Sequence, residues 1–133
     1  MARQAVFPPA LAHAVAASGF SPAIRAGDLI FLTGATGADA QGVMPDDAAT
    51  QTRNALQKVL TILDAAGAQP QDVVEITSYH IGLRDHFDTV DALLRETLGL
   101  PLPAWTAVEV AGLRREGAVI EMRIVVHAPL PQT

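Results

Sequence analysis

Glu121 and Arg123 stand two residues apart in Ala118-Val119-Ile120-Glu121-Met122-Arg123-Ile124-Val125-Val126, an otherwise apolar run. On an extended strand that spacing turns both side chains to one face. A carboxylate and a guanidinium held among apolar neighbours must be paired or meet a ligand, because an uncompensated charge there costs several kcal/mol. Two readings follow from the spacing: an ion pair between subunits, or an anion-binding pocket. The histidines, His13, His80, His86 and His127, offer less. None stands with a carboxylate at metal-ligand spacing on a helix, so they read as strand-surface or core residues and no metal is expected. His80 and His127 both fall in predicted strands and could meet.

Other sources of chemistry are excluded by what is missing. The stretch from Gly34 to Gly42 follows a strand but lacks the G-x-G-x-x-G spacing, and no G-x-x-x-x-G-K-[ST], H-E-x-x-H or G-x-S-x-G occurs. No cofactor is expected. With zero cysteines, disulfides, thiolate metal sites and a cysteine nucleophile are out of reach. Nine Lys+Arg against 14 Asp+Glu give a net charge of −5 without a basic run, which counts against a surface that tracks nucleic-acid phosphates.

The elements that must position Glu121 and Arg123 can be read from periodicity. Asp28 to Gly34 is a short apolar run ended by glycine, a strand buried on both faces. From Asp47 to Ala66, apolar residues recur at three- and four-residue steps, with Asp46 or Asp47 as N-cap and Gly67 beyond the end: an amphipathic helix. Val73 to Leu83 is rich in β-branched residues and predicts a strand. Asp85 is expected to cap a second helix with Phe87, Val90, Leu93, Leu94 and Leu98 inward and Gly99 as its stop. Strands from Trp105 to Val110 and from Ala118 to Ala128, joined by the turn Leu113-Arg114-Arg115-Glu116-Gly117, complete the chain.

At 133 residues, half of them hydrophobic and 17% charged, the chain suits one domain, residues 1–133, with more apolar material than one small core needs. Right-handed crossovers put both helices on one face of a single sheet. In the last strand both alternating sets are largely apolar, so the helix-free face should also be buried, and a second copy of the chain is what could bury it. The start, MARQAVFPPA, lacks the pattern of a signal peptide, and no apolar run approaches the roughly 20 residues of a membrane span. A cytoplasmic protein without a membrane partner is the expectation.

Several segments together resemble the YjgF/RidA family. They are Arg25-Ala26-Gly27-Asp28-Leu29-Ile30-Phe31-Leu32-Thr33-Gly34, the helix segment Gln51 to Leu60, Ala65-Ala66-Gly67 followed by Asp72-Val73-Val74, and Pro103-Ala104-Trp105-Thr106-Ala107-Val108-Glu109-Val110-Ala111-Gly112-Leu113. The resemblance runs from about Phe20 to Ala128. It implies a chorismate-mutase-like α+β fold, a mixed sheet with two helices on one face, assembled as a homotrimer with the sheets packed inward and small-molecule clefts between subunits.

Many members of that family hydrolyse reactive enamines and imines such as 2-aminoacrylate to the keto acid and ammonia. Their substrate carboxylate is held by an arginine after the Pro-Ala of the penultimate strand. Here that position is Trp105, which carries one donor and no charge. The family's cleft tyrosine corresponds to Phe20, a small polar or thiol position to Ala107, and the second glutamate of the last strand to Arg123, with Glu121 matched to the first. Thr33 and Glu109 are kept. The resemblance thus implies a cleft walled by Phe20, Thr33, Trp105, Ala107 and Glu109, with Arg123 as the cation and Glu121 and Thr106 beside it for proton transfer. It implies a hydrolase or deaminase acting on an imine, enamine or related small organic acid other than 2-aminoacrylate. A trimeric metabolite-binding protein without turnover is the alternative. An endoribonuclease or translation inhibitor is the third reading, and the acidic balance counts against it.

Overall fold

The computed structural model describes residues 3–131, so the outermost residues of the expected 1–133 unit lie outside the described ones. Among the described residues seven strands form one sheet: β1 (Gln4–Ala5), β2 (Ala23–Ala26), β3 (Leu29–Leu32), β4 (Ala35–Thr36), β5 (Val73–His80), β6 (Ala104–Glu109) and β7 (Ile120–His127). Three α-helices accompany them: α1 (Ala12–Ser18), α2 (Ala48–Ala65) and α3 (Leu83–Leu98). The spatial order is β1-β2-β3-β7-β5-β6, with β4 also paired to β7. β2 and β3 form a hairpin whose two-residue turn starts at Gly27, at φ +60°, a conformation glycine adopts without strain. β3 and β5 are both antiparallel to β7, while β5 and β6 run parallel and are linked through α3. This is the mixed α+β architecture that the sequence predicts.

α2 forms where the three- and four-residue spacing places it. The Asp47 carboxylate accepts the Thr50 N–H at 2.8 Å, satisfying one free donor at the helix start. Ala55, Leu56, Val59, Ile62 and Leu63 are buried on its inner side. They meet Val90, Leu94 and Leu98 of α3 and the fully buried Ile120, Met122, Ile124 and Val126 of β7. Both long helices therefore cover one face of the sheet. The alternate residues of β7, Glu121, Arg123, Val125 and His127, point to the other face, where Arg123 and His127 are exposed in a single chain.

Three details differ from expectation. β5 stops at His80, not Leu83, because Gly82 takes up φ +83° and turns the chain straight into α3. Asp85 lies inside the first turn of α3 and does not cap it. A short helix, α1, precedes the hairpin; its small residues bury nothing, so it has no apolar stripe to announce it. Among the described residues no helix is long and apolar enough to cross a membrane.

Candidate functional site

Register and alternation bring together the charges that the sequence singles out. Glu121 and Arg123 on β7 pair with Tyr79 and Thr77 on β5, so these four side chains occupy the helix-free face. Glu121, Arg123 and Tyr79 line a cavity of about 330 Å³ whose far wall is the segment Val110 to Arg114. Gly34 forms its floor against the Glu121 side chain, and a Cβ at Gly34 would lie 2.8 Å from the Glu121 carboxyl carbon. Arg114 supplies a second guanidinium. Arg123 makes one loose ion pair, Nη1 to Glu75 Oε1 at 3.8 Å, with both side chains about half exposed. Such a contact is weak and leaves the guanidinium available.

The remaining expected site residues are distributed around this cavity. Thr106 shares its face, in the lateral row Thr106, Thr77, Arg123, two strands from the arginine. Phe20 is 64% exposed and carries the Arg114 guanidinium 5.8 Å above its ring. The Thr33 hydroxyl donates to Ser21 O at 2.6 Å and faces a different cavity. Trp105 and Ala107 alternate with Thr106 and so face the helices. Within one chain Trp105 is therefore not a wall beside Arg123; the sheet separates them. Nor does His80 meet His127, because His80 pairs with Ile120 at one end of β7 while His127 pairs with Leu29 at the other.

What Trp105 does touch is a buried polar chain. Its indole stacks on Phe87 of α3 at 5.1 Å, and Nε1 donates to Ser78 Oγ at 2.7 Å. Ser78 Oγ lies 2.7 Å from His80 Nε2, and His80 Nδ1 lies 3.0 Å from His86 Nε2. An indole N–H can only donate, so the Ser78 hydroxyl accepts it; with Ser78 donating its O–H to His80 Nε2 and His80 donating through Nδ1 to His86, each of these polar hydrogens has an acceptor. Burial first, and the neighbouring His86 second, push His80 down to about 4, against the pull of Glu109. His86 is lowered too, again mainly by burial. Both rings are neutral near pH 7, and among the described residues no third side chain joins them to hold a metal.

Glu109 closes this corner. Its two oxygens accept the N–H groups of Gly82, at 2.9 Å, and Leu83, at 2.7 Å. A carboxylate from β6 thereby caps α3, and those N–H groups hold its pKa below the ordinary glutamate value.

Sequence reasoning found Glu121 and Arg123 through their spacing but missed Tyr79 and Arg114. Tyr79 could have been found by pairing the two strands in register, since it sits opposite Glu121. Arg114 belongs to a loop that carries no periodic signal.

Residues 11–128 match the family model described as Endoribonuclease L-PSP. The chain belongs to this family, the YjgF/RidA family. The "RutC family protein YjgH" of Escherichia coli (strain K12) is 33% identical to this YjgF/RidA-family chain over 128 residues, 96% of each. The "3-aminoacrylate deaminase RutC" of Acinetobacter baylyi is 35% identical over 124 residues, 90% of each chain. The "2-iminobutanoate/2-iminopropanoate deaminase" of Bos taurus is 34% identical over 122 residues, 90% of this chain and 88% of that one. A solved structure described as protein YJGH superposes with TM-score 0.86 at 32% identity, covering 98% of this chain and 100% of that chain.

Proposed function

We propose that this YjgF/RidA-family chain is a deaminase that hydrolyses an imine or enamine of a small organic acid other than 2-aminoacrylate. The observation that carries the reading is the shared cavity of Glu121, Arg123 and Arg114 in a chain whose relatives include proteins named as deaminases. Two guanidinium groups suit a substrate carboxylate, which accepts paired N–H donors. In this reading Glu121 takes a proton from water as it adds to the imine carbon and gives it to the nitrogen. The carbinolamine hydroxyl then loses its proton to nitrogen by the same route as the C–N bond breaks, the C=O of the keto acid forms and ammonia leaves; an enamine first takes a proton at its β-carbon and gives up its N–H proton to become the imine. Tyr79 offers a further hydroxyl.

In the same proposal a homotrimer, its sheets packed inward, completes the site. Arg123 and Thr106 lie on the open face that a neighbouring copy would cover, and Phe20 stands at its edge against Arg114, while Trp105 and Ala107, turned to the helix side, and Thr33, in the other cavity, stay outside it. Glu109 acts here by holding α3, since both of its oxygens are committed. The unit is taken as a single domain, residues 1–133, in the cytoplasm, needing no cofactor.

The test mixes the protein with a pyridoxal-phosphate dehydratase that releases an enamine acid and follows keto-acid formation with several amino-acid substrates. Acceleration over the spontaneous reaction, lost in Arg123→Ala and in Glu121→Gln, supports the proposal. No acceleration with any of them, alongside saturable binding of a carboxylate, favours metabolite binding without turnover instead.

A further inference from the structure

A second cavity, of about 450 Å³, lies on the helix side of the sheet where the chain kinks between β3 and β4. The N-terminal arm closes one side and α2 the other, and the walls are largely apolar: Leu11, Pro22, Leu32, Val59 and Ile62. Its volume falls in the range of small-molecule sites. One cation lines it, the exposed side chain of Lys58. Lys58 reaches from α2 to β4, where its Nζ donates to Thr36 O at 2.7 Å. That uses one of three donors, and among the described residues no carboxylate lies within ion-pairing distance of Lys58. Desolvation first, and the neighbouring cation Arg115 second, lower the Lys58 pKa.

The other polar groups narrow the ligand class. The hydroxyls of Thr33 and Thr61 donate to Ser21 O and Gln57 O, so neither has a proton to spare, and Thr36, opposite Glu121 in register, turns its side chain to the other face of the sheet. A sugar or a phosphate ester needs several donors and would leave its own polar atoms unpaired against these walls. A neutral apolar molecule would desolvate the ammonium and return nothing. What fits is one negative charge on an apolar body. We propose that this cavity binds a monocarboxylic acid with an aliphatic or similarly apolar body, the carboxylate on Lys58 and the body against the wall of α2 and the N-terminal arm. The proposal does not rest on the reaction assigned above: the Arg123 cavity lies on the opposite face of the sheet, and the two cavities have only Gly34 in common.

Isothermal titration calorimetry of the whole chain with sodium octanoate, and with 1-octanol as the uncharged control, tests this at neutral pH. Saturable octanoate binding is expected, tighter than octanol binding. Lys58→Met, which keeps an apolar stem without the charge, should weaken octanoate about tenfold or more and erase the preference. Lys58→Arg should keep the preference, and the part of octanoate binding that Lys58→Met removes should persist in Arg123→Ala. No saturable binding up to about 10 mM, equal affinity in Lys58→Met, or loss of that part in Arg123→Ala would each overturn the assignment.

Discussion

The indole N–H of Trp105 lies 2.7 Å from Ser78 Oγ, and this bond holds the tryptophan on the helix side of the sheet, away from Arg123. Where the family resemblance places a carboxylate-binding arginine, this chain has a side chain turned into its own interior and stacked on Phe87. Ser78 is fully buried and serves Trp105 and His80 at once. Ser78→Ala strands an indole N–H and an imidazole nitrogen in a dry setting and should cost about 2–4 kcal/mol. Trp105→Phe keeps the stack and the Ser78 to His80 bond, and should cost about 1 kcal/mol. Urea denaturation of the two variants checks the ranking, and equal losses would refute the shared role of Ser78.

The His80 to His86 contact predicts how stability changes with acid. His80 titrates near 6.5 when unfolded and near 4 in the fold, so the unfolded chain binds the extra proton between those values. Its contribution is complete above pH 6.5 and is lost as pH falls toward 4, by about 3 kcal/mol at most. The lowered His86 works in the same direction. Urea midpoints from pH 7.5 down to pH 4 should decline, with a smaller decline in His80→Asn. A decline of equal size in that variant would assign the acid sensitivity elsewhere.

α2 could be read from sequence to within a residue at each end because a surface helix displays its burial as periodicity. The start of α3 could not. Asp85 has the chemistry of a cap and stands near the right place, yet the cap comes from Glu109 on β6, 26 residues beyond Leu83, and only tertiary packing decides that. The candidate site divides in the same way. Two-residue spacing puts Glu121 and Arg123 on one face whatever the fold. Trp105 defeated the same reasoning because β6 is an edge strand with both faces half apolar, so its pattern does not say which face meets the helices.

Glu109 gives a prediction on that cap. Glu109→Gln keeps the shape but gives up the charge that favours a helix N-terminus and one of the two paired acceptors. Faster amide hydrogen exchange at Gly82 and Leu83 and a lower urea midpoint are expected, with exchange in α2 unchanged. Unaltered exchange at Gly82 and Leu83 would mean that water caps the helix equally well.

Two glycines of the same loop region separate site chemistry from stability. A Cβ on Gly34 would press on the Glu121 carboxylate, the mobile end of a side chain, which can swing away. Gly34→Ala should therefore fold nearly as well as the parent while displacing Glu121 from the Arg123 cavity and reducing imine hydrolysis. A Cβ on Gly37 would instead strike the Gln51 backbone, with the Gln51 carbonyl carbon at 2.6 Å. That backbone cannot move cheaply, because the fully buried Gln51 side chain is bonded to Pro45 O, Gly117 O and Val119 N. Gly37→Ala should cost about 2–3 kcal/mol or more. Thermal unfolding paired with the keto-acid assay distinguishes the two. If Gly34→Ala keeps full activity, Glu121 does not act in that cavity, because its carboxylate cannot keep its place beside the new methyl group.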